Sequence, residues 1–124
     1  MKKLHYLVAF CLPMLACQPE PDYLQIISPA QLNQTMQSGD IFLVDVHTPE
    51  QKHIKGTDLF APFNEIEKYQ SKLPQDKNQP IYLYCKSGRM AVTAAKTLHE
   101  LGYTHLSNLE GGIEAWKQAG LGVE

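Results

Sequence analysis

Ile81-Tyr82-Leu83-Tyr84-Cys85-Lys86-Ser87-Gly88-Arg89-Met90 joins four apolar residues to a cysteine, then to a basic turn with a glycine inside it. The apolar tetrad reads as a strand buried on both faces. Beyond the turn, Val92, Ala95, Leu98 and Leu101 recur at three- and four-residue spacing, which predicts a helix over 91–101 halted at Gly102. A strand feeding directly into a helix is half of a βαβ unit.

The flanking sequence supplies the other halves. On the amino side, Ile41–Val46 is a continuous apolar run ending in an acid, a second buried strand, and Tyr23–Ile27 suits an edge strand. Between them Ser28 is a helix N-cap with Pro29 at the first helical position, and the helix runs to Gln37 or Ser38 before Gly39. Thr48-Pro49-Glu50 is expected to open a short helix that His53-Ile54-Lys55-Gly56 closes. A short strand near 58–61, a helix over 64–73 and a polar linker from Pro74 to Pro80 follow. On the carboxyl side, 103–109 reads as the last strand, and Gly111-Gly112 opens a helix with Ile113, Trp116 and Ala119 inward, ended by Gly120. Strands alternating with helices predict an α/β fold with a parallel sheet covered on both faces. Ligands of such sheets bind outside the carboxyl ends of the strands, so Asp45, Cys85 and Glu110 are expected to share one rim.

A chain of 124 residues, 44% of them hydrophobic, holds one compact domain and is too short for two. Arg89 is the sole arginine and the formal charge is −2, so the basic stripe of a nucleic-acid module is missing and no nucleic-acid partner is expected.

The first residues read as an address. Lys2 and Lys3 precede an apolar run from Leu7 to Ala16, the layout of an export signal and too short for a membrane span of about 20 residues. Cleavage after Ala16 by ordinary signal peptidase would put bulky Met14 at the −3 position. Met14-Leu15-Ala16-Cys17 resembles instead the lipobox of bacterial lipoproteins, which implies removal of 1–16 and lipidation of Cys17. In that family Gln18 implies sorting to the outer membrane, with the protein facing the periplasm. Acyl chains contribute about 0.8 kcal/mol per buried CH₂, so several of them anchor firmly. Residues 17–22 then form the lipidated cysteine and a polar tether, and 23–124 the folded domain. With Cys11 removed and Cys17 lipidated, Cys85 is the one free thiol, and no intramolecular disulfide is possible.

The Cys85–Met90 turn carries the chemistry. A strand-to-helix turn of this length, with a glycine, can curl until backbone N–H groups converge on one point. Those donors and the helix dipole favour an anion, so a sulfur at the centre would be held as thiolate. The first helical turn, Met90 to Thr93, has no acid to consume the dipole, and Lys86 and Arg89 add positive charge. A plain buried cysteine ending a strand, with a solvated basic turn behind it, is the structural alternative.

Three segments resemble the single-domain rhodaneses, sulfurtransferases of the rhodanese/Cdc25-phosphatase superfamily. Asp45-Val46 with Glu50 and His53-Ile54-Lys55-Gly56 resembles the first signature of the family. Tyr84-Cys85-Lys86-Ser87-Gly88-Arg89-Met90 resembles its active loop, and Leu109-Glu110-Gly111-Gly112-Ile113 with Trp116 and Gly120 its last signature. The short exported rhodaneses of bacterial envelopes are similar also in Gly102-Tyr103-Thr104-His105. The resemblance spans Ile26 to Gly122. It implies a three-layer α/β/α fold with a five-stranded parallel sheet and a Cys85 that cycles between thiolate and persulfide. A small anionic donor such as thiosulfate would load it, and a thiophilic acceptor (a thiol, cyanide or a protein cysteine) would unload it. The amides of Lys86, Ser87, Gly88, Arg89 and Met90 would cradle the outer sulfur, Lys86 and Arg89 would attract the donor, and Asp45 would support the site. His47 and Met90 stand where many relatives have arginine. No cofactor is implied.

Other chemistries fit less well. His53 invites the role of base toward Cys85, but the matching histidine of the family is structural, and a lone histidine is more often packed or hydrogen-bonded than catalytic. His5, His47, His53, His99 and His105 form no zinc motif, and one free thiol adds little, so no metal is expected. A phosphatase loop of the form C-x5-R would need arginine at the place of Ala91, and a C-x-x-C redox pair would need cysteine at Gly88. The rival from another class is a non-catalytic rhodanese module that binds a partner protein at the cell envelope.

Overall fold

The computed structural model describes residues 21–124. The export signal, the lipobox and Cys17 lie outside the described residues. Five strands form one parallel sheet: β1 (Leu24–Ile27), β2 (Phe42–Asp45), β3 (Leu59–Phe60), β4 (Ile81–Tyr84) and β5 (Leu106–Leu109). Their order is β1-β5-β4-β2-β3, so β4, the strand that ends at Cys85, lies in the middle. Helix α1 (Pro29–Ser38) and helix α3 (Gly112–Gln118) cover one face, while α2 (Arg89–Glu100) and a 3₁₀ helix (Ile66–Lys72) cover the other.

Alternate strand residues feed the two layers of core. Val44, Ile81, Leu83 and Leu106 pack toward Ala91, Ala94, Ala95 and Leu98 of α2. Leu43, Tyr84 and Leu109 pack toward Leu32 of α1 and Ile113 and Trp116 of α3. This is the period-two alternation of a strand, with both faces apolar because both are covered. The fold is therefore the three-layer α/β/α arrangement with a five-stranded parallel sheet.

Helix α1 starts where a local rule places it. The Ser28 hydroxyl accepts from the Gln31 amide at 3.1 Å, and the Gln31 side chain accepts from the Ser28 amide at 2.8 Å, a reciprocal capping box.

Several boundaries differ from the sequence expectation. Residues 48–56 form no helix. The amides of His53 and Lys55 donate to the carbonyls of Glu124 and Gly122, and Glu124 donates back to His53, so the carboxyl-terminal tail pairs with this segment. An isolated helical turn gains too few hydrogen bonds to compete. The 64–73 segment is 3₁₀ rather than α, with the Leu73 amide reaching Gln70 at 3.2 Å. Pro62 and Pro74 bound it, and Pro74 holds the residue before it, Leu73, in the extended conformation that ends the helix. The last strand begins at Leu106 rather than at 103, because the Tyr103 ring is buried and its hydroxyl donates to the Pro74 carbonyl at 2.6 Å.

Helix α2 begins at Arg89, two residues before the expected start, and buries Ala91, Ala94, Ala95 and Leu98, whereas Val92 and Leu101 are half-buried. The three alanines make the face that lies flat on the sheet, and the bulkier residues lie at its margins. Ala119 is exposed at the end of α3, one residue past the turn that Trp116 anchors.

Candidate functional site

The Cys85 loop leaves the carboxyl end of the central strand and enters α2. Cys85 is 1% exposed, Lys86, Ser87 and Arg89 are exposed, and Gly88 is half-buried. The Gly88 amide donates to the Cys85 sulfur at 3.0 Å. Gly88 is also the N-cap of α2 at φ +108°, a conformation open chiefly to glycine, and it offers no side-chain cap. The first turn of α2 holds no acid, so its amide donors and dipole remain available.

The loop is held by its carbonyls. The Ile113 amide donates to the Cys85 carbonyl at 2.9 Å, and the Glu114 amide donates to the Lys86 carbonyl at 3.2 Å. From β5, the Asn108 side-chain amide donates to the Gly88 carbonyl at 3.0 Å. In a planar trans peptide the N–H points opposite to the C=O. Turning these three carbonyls toward α3 and β5 therefore turns the amides of Lys86, Ser87 and Arg89 away from them. The Gly88 amide meets the Cys85 sulfur, and amides turned to that side add donors suited to an anion.

Close approach of α3 is what permits this. Gly112 lies against the loop so tightly that a Cβ there would stand 2.4 Å from the Cys85 carbonyl oxygen and 2.5 Å from the Lys86 carbonyl. Lys86 extends to Glu114 at 3.6 Å, both side chains about half exposed, which leaves Arg89 as the loop cation that forms no ion pair among the described residues. Met90 is half-buried and packs its side chain against the core beneath α2.

The sequence profile described as "Rhodanese-like domain" matches residues 28–119, which include the whole loop and its α3 support. The chain belongs to the rhodanese-like domain family. It is 37% identical over 99 residues to an uncharacterized protein of Synechocystis sp., covering 77% of this chain and 53% of that one. The chain thus spans about half the length of that relative. It is 35% identical over 71 residues to the thiosulfate sulfurtransferase PspE of Escherichia coli, covering 55% and 67%, and 30% identical over 94 residues to the thiosulfate sulfurtransferase GlpE of Coxiella burnetii, covering 73% and 85%. Among solved structures, the rhodanese-like domain of the Anabaena sp. Alr3790 protein superposes with a TM-score of 0.69 at 27% identity, covering 79% and 76%.

In this rhodanese-like domain Asp45 and Glu110 stand on the same rim as Cys85, at the carboxyl ends of β2 and β5. They do not converge on the sulfur. The buried Asp45 carboxylate accepts from the His47 amide at 2.9 Å and faces His53 Nδ1 at 2.6 Å. His53 Nε2 faces Glu50 at 2.8 Å. Both ring nitrogens of His53 are thus engaged by carboxylates, and the histidine has no free nitrogen for Cys85. Burial alone would lower its pKa, but the hydrogen bonds and charges of Asp45 and Glu50 outweigh burial and raise it above the ordinary histidine value. Asp45 supports the rim through this knot. Glu110 is exposed, and its amide donates to the Ile27 carbonyl at 2.8 Å.

Cys85 is the free cysteine of the described residues, and among them no cluster of three His, Cys, Asp or Glu side chains is placed to hold a metal ion. Asn108 carries no sequence expectation, and Gly112 is expected only as the start of the last helix and part of the last signature, not as the support of the loop. A polar residue within the Leu106-Ser107-Asn108-Leu109 strand and a doubled glycine ahead of Ile113 are the signals that mark them.

Proposed function

We propose that this domain is a sulfurtransferase that carries a sulfane sulfur on Cys85. The observation that carries the reading is the Gly88 amide donating to the Cys85 sulfur within a loop whose carbonyls are tied away from it. With thiosulfate as donor, the Cys85 thiolate attacks the outer sulfur. One S–S bond forms, the S–SO₃ bond breaks, and sulfite leaves with the electron pair. The product is a Cys85 persulfide anion, and total charge is conserved. Attack of a thiophilic acceptor on the outer sulfur returns the thiolate. The loop amides meet the anion at each stage, so stabilisation needs no rearrangement. Exposed Arg89 and Lys86 draw the anionic donor toward the rim. The thiosulfate sulfurtransferase names of relatives at 30–35% identity support the same assignment.

Intact-mass measurement tests it. The chain should gain one sulfur on exposure to thiosulfate and lose it on addition of cyanide, with thiocyanate released. Cys85→Ser should abolish both events and retain the fold. A wild type that never takes up sulfur leaves the partner-binding module as the function.

The reading includes a location. Removal of 1–16 and lipidation of Cys17 would hold the domain on the periplasmic side of the envelope membrane. Cys17→Ser should then move the protein from the membrane fraction to the soluble fraction, and a wild type already soluble defeats the anchor.

A further inference from the structure

We infer that Asn108 is a positioning residue, which aims the Arg89 amide at the outer sulfur carried on Cys85; the inference rests on the persulfide reading above. Asn108 is 3% exposed on β5, beside Leu83 of β4 and facing the same apolar layer as Leu106. A leucine or valine would satisfy that layer, and an amide there is costly unless its polar atoms are used. The Asn108 Nδ2 atom donates to the Gly88 carbonyl at 3.0 Å, while Oδ1 meets no donor among the described residues. Reversing the amide would set oxygen against oxygen at Gly88, so the orientation is determined.

The loop needs this bond because of what Gly88 is. Gly88 caps α2 at φ +108°, so its carbonyl is the first acceptor of the helix ladder and the peptide between Gly88 and Arg89 is the joint between loop and helix. With the Gly88 carbonyl turned to β5 and α2, the Arg89 amide points away from them, and any tilt of this peptide swings a partial negative charge toward an anionic sulfur. The carbonyls of Cys85 and Lys86 are held by the backbone of α3, whereas the Gly88 carbonyl, besides opening the α2 ladder, is held by the Asn108 side chain. Asn108 is thus the point at which a substitution reaches the cradle without removing any group that touches the sulfur.

The test uses the equilibrium between free and loaded Cys85 in the full-length protein, followed by intact mass over a series of thiosulfate-to-sulfite ratios. Asn108→Leu and Asn108→Asp both lack the donor, and each should need a ratio about tenfold higher to reach half-loading, the effect of one hydrogen bond to a charged group. A packing role alone lowers the melting temperature and leaves this ratio unchanged in the folded protein. If Asn108→Leu does not fold, Asn108→Ser, whose hydroxyl is too short to reach Gly88, replaces it. Equal ratios in wild type and folded variants overturn this inference alone. A wild type that takes up no sulfur overturns the persulfide reading, and this inference falls with it.

Discussion

Two segments leave the carboxyl ends of neighbouring strands, and they finish in opposite electrostatic states. After β2, the buried Asp45 carboxylate is matched by the His47 amide and the His53 ring, and His53 by Glu50. Its backbone is in turn paired with Glu124 and Gly122. After β4, the Cys85 sulfur receives one amide, and the carbonyls around it are spent on α3 and β5. In the first segment polar groups satisfy each other, and the result is a brace. In the second the acceptors are removed and donors are left over, and the result is the candidate site. Position on the rim of a parallel sheet therefore selects candidates, but the partner of each polar group decides which of them is chemical.

The largest expected effect breaks the open segment from behind. In Gly112→Ala, the new Cβ would meet the Cys85 and Lys86 carbonyls at 2.4–2.5 Å, and both are backbone atoms that cannot swing aside. The loop must lift away from α3 and lose several donors at once, so sulfur loading should fall about a hundredfold or more. Gly88→Ala is the milder comparison. The nearest atoms to its Cβ lie at 3.8 Å, so only the φ of +108° opposes it, at about 1–2 kcal/mol. Single-turnover loading by thiosulfate measures both. Loading at the wild-type rate in Gly112→Ala would show that contact with α3 does not shape the cradle.

The same contrast explains what could be read in advance. The capping box of α1 lies within four residues, Ser28 to Gln31, so its boundary was legible. Cys85, Lys86 and Arg89 were legible as a basic strand-to-helix turn, and the parallel sheet followed from alternating elements. The supports were not. Asn108 meets Gly88 across twenty residues, and Gly112 meets a loop that lies earlier in the chain by a similar distance. Neither pairing has a periodicity or a local rule behind it. The missing helix over 48–56 has the same origin, since its competitor is the far end of the chain. Likewise, Asp45 ends an apolar run and His53 stands out as a lone histidine, but their bond to each other, which fixes them as bracing, belongs to the folded chain.

The smallest expected effect concerns the closed segment and reads its charge. His53 has a pKa raised above 6.5 because Asp45 and Glu50 hold the imidazolium against the opposing cost of burial. The folded state therefore binds this proton more tightly than the unfolded chain does. The resulting stabilisation is fully present below the unfolded value and is lost as pH rises through the higher folded one. Melting temperature should accordingly decline as pH rises above the ordinary histidine value of 6.5 and through the higher folded one, a modest change because the ring keeps some contact with solvent. Asp45→Asn keeps the size of the side chain and removes the charge that faces Nδ1 at 2.6 Å. That variant should melt lower at pH 6 and show a flatter profile above it, while still loading sulfur on Cys85. A profile as steep as that of the wild type would assign the proton to another group. Lost sulfur loading in a folded Asp45→Asn would bring the brace into the chemistry and erase the distinction between the two segments.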